Sequence, residues 1–78
     1  MTNLEKYDRE FIKMFQGKKE DLPGLKYRGI KKWDSLAHMD MMADFEEIFD
    51  IQISTIDVLD FTGYEKGKIV LGRYGVEF

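Results

Sequence analysis

The chain has no cysteine, and it has one proline, one histidine and one tryptophan. Without cysteine there is no disulfide framework and no thiolate metal site, a composition that suits a reducing compartment, and any sulfur chemistry must be brought in by another molecule. One histidine falls short of the clusters that ligate zinc. No apolar run approaches the roughly 18 to 20 residues of a membrane span, and the opening MTNLEKYDRE lacks the basic then apolar pattern of a signal peptide. A cytoplasmic location without membrane contact is therefore expected. At 78 residues the chain is expected to form one domain, 1–78. A domain of this size buries little more than about 60% of the surface its unfolded form exposes, leaving little core for an enclosed active site.

The net charge of -3 is unevenly distributed. Residues 1–33 carry nine Lys/Arg and five Asp/Glu, and residues 63–78 carry three and two. Residues 34–62 carry eight Asp/Glu and no cation. Such a segment is either a solvated face or a surface that draws in basic partners, and it repels nucleic acid and anionic lipid. The cations of the preceding stretch, Lys18, Lys19, Lys26, Arg28, Lys31 and Lys32, are interleaved with Tyr27 and Trp33. Beside so acidic a neighbour they are expected to balance charge within the molecule rather than bind nucleic acid.

Thr2 and Glu5 fit a capping box, and Leu4, Tyr7, Phe11, Met14 and Phe15 recur at helical spacing before Gly17, which predicts a first helix over about 3–16. Between Gly17 and Trp33 the apolar residues are interrupted by Pro23, Gly24 and Gly29, so a long loop with room for one short turn is expected. Asp34 or Ser35 can cap a second helix running to about Phe49. Ser54 and Asp57 suggest a capped, short third helix anchored by Ile56, Leu59 and Phe61. Thr62 and Glu65 repeat the capping box before a fourth helix weakened by Gly67 and Gly72, with Gly75 where a left-handed cap falls. Ile51, Gln52 and Ile53 could form a strand fragment, but they have no partner. The expected fold is all-α: a small four-helix bundle, three longer helices and one short, with a long loop between helices 1 and 2.

On the second helix, Ile48, Met41, Phe45, His38, Phe49 and Met42 share one arc, which is expected to face the other helices. Asp40, Asp44, Glu46, Glu47 and Asp50 fall largely opposite. Leu36 and Met39 lie outside the apolar arc, among the acids and close to Ser35, as an apolar centre ringed by charge suits a docking surface. Ser35 can serve as a helix cap. The same position also favours a phosphate ester on its oxygen, because a helix N-terminus carries unpaired N–H groups and partial positive charge. A catalytic serine is disfavoured: there is no G-x-S-x-G elbow, and His38 lies on the packing arc. The acids lack the order of a calcium loop.

The run DSLAHMDMMADFEEIFDIQIS resembles the acyl carrier protein family, in which Asp-Ser-Leu opens a helix leading to Phe-Glu-Glu, Phe and an I-x-I stretch. Here these are Asp34-Ser35-Leu36, Phe45-Glu46-Glu47, Phe49 and Ile51-Gln52-Ile53. The resemblance implies a monomeric four-helix carrier that is not itself an enzyme. It implies 4′-phosphopantetheine, derived from coenzyme A, on Ser35, attached by a phosphopantetheinyl transferase, with Asp34 and Leu36 in the attachment motif. Acyl-loading, acyl-transferring and condensing enzymes are the implied partners, reading Leu36, Met39, Asp40, Asp44, Glu46 and Glu47. Lys32-Trp33 before the motif and Ala37-His38 after it depart from the fatty-acid synthesis pattern and look more like carriers dedicated to specialised pathways. The alternative is an unmodified acidic helical adaptor for a basic protein.

Overall fold

The computed structural model describes residues 1–78. Four α-helices, α1 (Asn3–Phe15), α2 (Ser35–Phe49), α3 (Thr55–Asp60) and α4 (Tyr64–Gly72), are joined by a long connection containing one 3-10 helix, Lys19–Gly24. The all-α expectation holds in this form. No strand forms at Ile51–Ile53; this stretch links α2 to α3, and the one β-bridge is an isolated pairing of Lys26 with Gly63.

Local sequence accounts for most helix ends. At α1 the Thr2 hydroxyl accepts the Glu5 N–H at 3.1 Å and the Glu5 carboxylate accepts the Thr2 N–H at 2.9 Å, a reciprocal capping box. The helix stops at Phe15, two residues before Gly17, because Gln16 takes the left-handed conformation at φ 55°. Ser54 caps α3 by accepting the Asp57 N–H. The start of α4 differs from expectation, since no side chain caps it. Its first turn is instead held by backbone: Tyr64 N–H donates to Leu25 C=O and Tyr27 N–H donates to Thr62 C=O, both at 2.9 Å. Gly63 permits this close approach, since a Cβ there would lie 3.0 Å from the Leu25 oxygen. Beyond α4, Gly75 at φ +86° makes the expected left-handed turn and Val76 N–H returns to Leu71 C=O.

The core is mainly aromatic. Tyr7, Phe11, Trp33, Phe45, Phe61 and Tyr64 are buried and in mutual ring contact. The Tyr7 hydroxyl donates to the Tyr64 carbonyl at 2.6 Å, and the Tyr64 hydroxyl donates to buried Asp8. Burial of these rings, together with their acidic neighbours, holds both phenol pKa values above the ordinary range. Gly67 is what admits this cluster. A Cβ on it would sit 2.2 Å from the Tyr7 oxygen and 2.3 Å from the Phe61 ring, so its helix-weakening character is offset by packing. Ile56 and Leu59 do not anchor α3 as expected; they face solvent, and Phe61, just past the helix, is the buried anchor. Ile48 likewise sits at the edge of the arc, partly exposed.

Glu10 on α1 is buried, and its Oε2 has no donor near it. Burial, followed by the proton it shares with Asp44 of α2, raises its pKa from 4.5 to about 7, and Lys13 opposes the shift only in part. Lys13 pairs with Glu10 at 3.5 Å and with Asp44 at 3.3 Å, closing a polar clasp between α1 and α2. A carboxyl whose folded pKa is raised binds its proton more tightly when folded, so stability falls as pH climbs from about 4.5 to about 7 and stays lower above.

Two predictions follow from this packing. Gly67→Ala is expected to destabilise by about 1–3 kcal/mol despite its gain in helix propensity. Gly72→Ala, with nothing within 4 Å of the new methyl, is expected to be neutral or slightly stabilising, and urea denaturation of both variants checks the contrast. Glu10→Gln keeps a donor for Asp44 and removes the buried charge. Its melting temperature is expected to exceed that of the parent at pH 8 and to converge with it near pH 4.5, as read by thermal unfolding across that range.

Candidate functional site

The site is built from the loop upward. Gly29 N–H bonds Lys26 C=O, Arg28 N–H bonds Trp33 C=O and Trp33 N–H bonds Ile30 C=O, with Arg28 left-handed at φ 64°. These turns fold the chain back and press Trp33 into the core, where it stacks on Phe15 and meets Phe11 edge-on. Its indole can only donate, and it donates to His38 Nδ1 at 2.9 Å. The imidazole proton therefore lies on Nε2, which donates to the Val58 carbonyl of α3 at 2.8 Å. With both ring nitrogens engaged, His38 is no base for Ser35.

The position of Trp33 sets the next residues. Asp34 is the N-cap of α2, its Oδ1 accepting the Ala37 N–H at 2.9 Å. Ser35 is the first helical residue, exposed, and its hydroxyl is not spent on capping. The His38 N–H goes to the Asp34 carbonyl, so the N–H groups of Ser35 and Leu36 are left at the helix end, where anions are favoured. Beside Asp34 a hollow of ≈ 460 Å³ is edged by Arg28 and Lys31. An exposed hydroxyl and free helix N–H groups make a donor set that fits a phosphate ester. No group of three metal-ligating side chains exists in the molecule.

On its other side Ser35 opens onto α3. A depression of ≈ 150 Å³ is lined by Tyr27, Ser35, His38, Met39, Val58 and Leu59. Next to it a groove of ≈ 290 Å³ runs between Met39, Met42 and Ala43 of α2 and Val58 and Leu59 of α3. Leu36 (79% exposed), Met39 (56%), Ile56 (78%) and Leu59 (74%) stand at the surface of these two helices. Leu36 and Met39 are thus exposed, as their place off the apolar arc implies.

The expected acidic residues separate into different settings. Asp40 and Glu47 are exposed and take part in no ion pair. Asp44 faces α1, where Lys13 occupies it. Its carboxyl is held below the ordinary range by the Glu10 proton and then by Lys13. Glu46 is half-buried and accepts the Ile53 N–H at 2.7 Å, fastening the α2–α3 connection. The basic loop does not balance these acids, contrary to expectation. The ion pairs come from Lys13 of α1 and from Lys66, Lys68 and Arg73 around α4, while Lys32 bonds the Gln16 side chain.

α3 itself has no buried residue. Arg73 holds it through Asp57 at 2.6 Å and Asp60 at 2.7 Å, and Lys66 adds a contact to Asp60. The Tyr74 hydroxyl donates to Asp57 and accepts the Ser54 N–H. The Tyr74 bond, then Arg73, lowers the Asp57 pKa, and Arg73 is the main cause of the same shift at Asp60. The Trp33–His38–Val58 bridge, the Glu46 bond and the exposure of Ile56 and Leu59 were not legible in sequence. Only the Trp33/His38 spacing of five residues across a helix start offered a signal.

No family model, no curated protein and no solved structure matches this chain. The division of labour at the helix start is directly testable. Asp34→Ala is expected to cost about 1 kcal/mol of stability, as loss of an N-cap does. Ser35→Ala is expected to change stability by less than about 0.5 kcal/mol, and equilibrium urea unfolding of the pair distinguishes cap from free hydroxyl.

Proposed function

We propose that this chain is a carrier of the acyl carrier protein type, with Ser35 as the attachment point for 4′-phosphopantetheine. The observation that carries the reading is the exposed Ser35 hydroxyl at the first position of α2, left free because Asp34 does the capping. In the loading step, catalysed by a separate transferase, Ser35 Oγ attacks the phosphorus of coenzyme A that bears the pantetheine. A phosphodiester to serine forms, the bond to the nucleotide half breaks, and the serine proton passes to a base of the transferase. The attached group supplies the thiol that the cysteine-free chain lacks, able to hold acyl intermediates as thioesters.

The chain's own residues then have distinct roles in this reading. The N–H groups of Ser35 and Leu36 and the cations Arg28 and Lys31 favour the phosphodiester charge. Leu36 and Met39 offer an apolar contact, and unpaired Asp40 and Glu47 draw basic partner enzymes. Asp44 and Glu46, committed to Lys13 and to the Ile53 N–H, contribute less to partner binding. The W-D-S-L-x-H form favours a specialised biosynthetic pathway over general fatty-acid synthesis. A second reading, an unmodified adaptor, draws on the same exposed residues: Leu36, Met39, Ile56 and Leu59 beside unpaired acids.

Intact mass after incubation with coenzyme A and a broad-specificity transferase is expected to rise by one phosphopantetheine group, and Ser35→Ala is expected to abolish the gain. An unchanged parent mass, or a gain that persists in Ser35→Ala, overturns the carrier reading. Under the adaptor reading, Ser35→Ala leaves partner binding intact while Asp40→Lys with Glu47→Lys removes it.

A further inference from the structure

We propose that His38 is a proton-operated latch between α2 and α3, closed while the imidazole is neutral and opened when it gains a second proton. The latch is the hydrogen bond that joins these two helices directly: Nε2–H to the Val58 carbonyl at 2.8 Å. It is kept in register by the buried indole, which donates to Nδ1 at 2.9 Å.

A protonated ring is a donor at both nitrogens. Nδ1–H would then confront the indole N–H, a donor against a donor in a buried setting. The surroundings offer the added charge no partner. Packed around the ring are Trp33 and Tyr27 from the loop, Phe61 from beyond α3, and the Val58 carbonyl from α3 itself. Asp34, one turn before it, is spent on the cap, exposed Asp40 follows two residues on, and the Arg28 guanidinium lies against the Tyr27 ring. None of the ion pairs includes His38. The ring has somewhere to go, since it lines the ≈ 150 Å³ depression between Ser35 and Leu59. Turning into it relieves the donor clash and gives up Val58.

Losing that bond matters because α3 has no fully buried residue, only Val58 packed in part against the core, and its polar ties run to the α4 side, through Arg73, Tyr74 and Lys66. Those ties persist on mild acidification, because the carboxyls of Asp57 and Asp60 are held below the ordinary range. Opening the latch therefore swings α3 away from α2 and widens the depression and groove beside Ser35, while leaving α3 tethered to α4. The inference does not depend on what Ser35 carries.

Amide hydrogen exchange by NMR between pH 8 and pH 5, corrected for intrinsic rates, tests it on the intact chain. Protection of the α3 amides is expected to fall by about tenfold or more on acidification, while α1 and α4 keep theirs. His38→Gln, which can donate to Val58 and does not titrate, is expected to show no such fall. Glu10→Gln, which removes the buried carboxyl whose pKa is raised to about 7, is expected to behave as the parent does. Trp33→Phe removes the opposing donor, so a protonated ring keeps its bond to Val58 and the fall in α3 protection is expected to disappear, providing a second measure should the glutamine variant fail to fold. Ring nitrogen shifts at pH 8 are expected to show a bare Nδ1. An α3 whose protection is indifferent to pH, an equal loss in His38→Gln, a parent-like loss in Trp33→Phe, or a proton on Nδ1 at pH 8 overturns the proposal.

Discussion

A buried indole has one polar hydrogen and cannot leave it unmatched without a cost of about 1–3 kcal/mol. Much of the molecule follows from how Trp33 meets that demand. Drawing the ring into the aromatic core requires the turns at residues 26–33, with Arg28 left-handed. Matching its N–H requires His38 one turn into α2. Between the two, Asp34 is placed at the cap and Ser35 at the first exposed helical position. The tautomer so imposed on His38 then reaches Val58 and locates α3.

The helices are thus held by different physics. α1 and α4 are fastened by ring burial, by the Tyr7 bond to the Tyr64 carbonyl and by the close approach that Gly67 allows. α3 is fastened by charged and hydrogen-bonded contacts that water and salt can compete for, since exposed ion pairs are individually worth little. Low local stability belongs where a surface must adapt. Here that element forms one wall of the groove next to Ser35.

Periodicity and capping chemistry made the helices legible: Thr2/Glu5 and Ser54/Asp57 act as read, and α2 spans the stretch free of Gly and Pro. The exposure of Leu36 and Met39 was legible from their angular position alone. What escaped depends on contacts distant in sequence. The Thr62/Glu65 pattern looked like a cap, but pairing with Leu25 and Tyr27 took over that start. Gly67 read as a weakness because its use lies with Tyr7 and Phe61. Ile56 and Leu59 read as anchors in the sequence because a six-residue helix gives too short a pattern to show which face is turned inward. Glu10, Asp44 and Glu46 look alike as letters, and only their placement shows one sharing a proton, one paired with a lysine and one holding a backbone N–H.

The bond from the Tyr7 hydroxyl to the Tyr64 carbonyl spans 57 positions of the chain, and Asn3 reaches the Glu77 carbonyl across 74. Contacts of such separation must wait for most of the chain to be ordered before they repay its lost freedom. The α1 rings pack on Phe45 of α2 and on Trp33, but Tyr7 has its hydroxyl partner only once the start of α4 is in place. The segments around Asn3–Tyr7 and Tyr64–Glu77 therefore depend on each other for their order, although most of the chain lies between them.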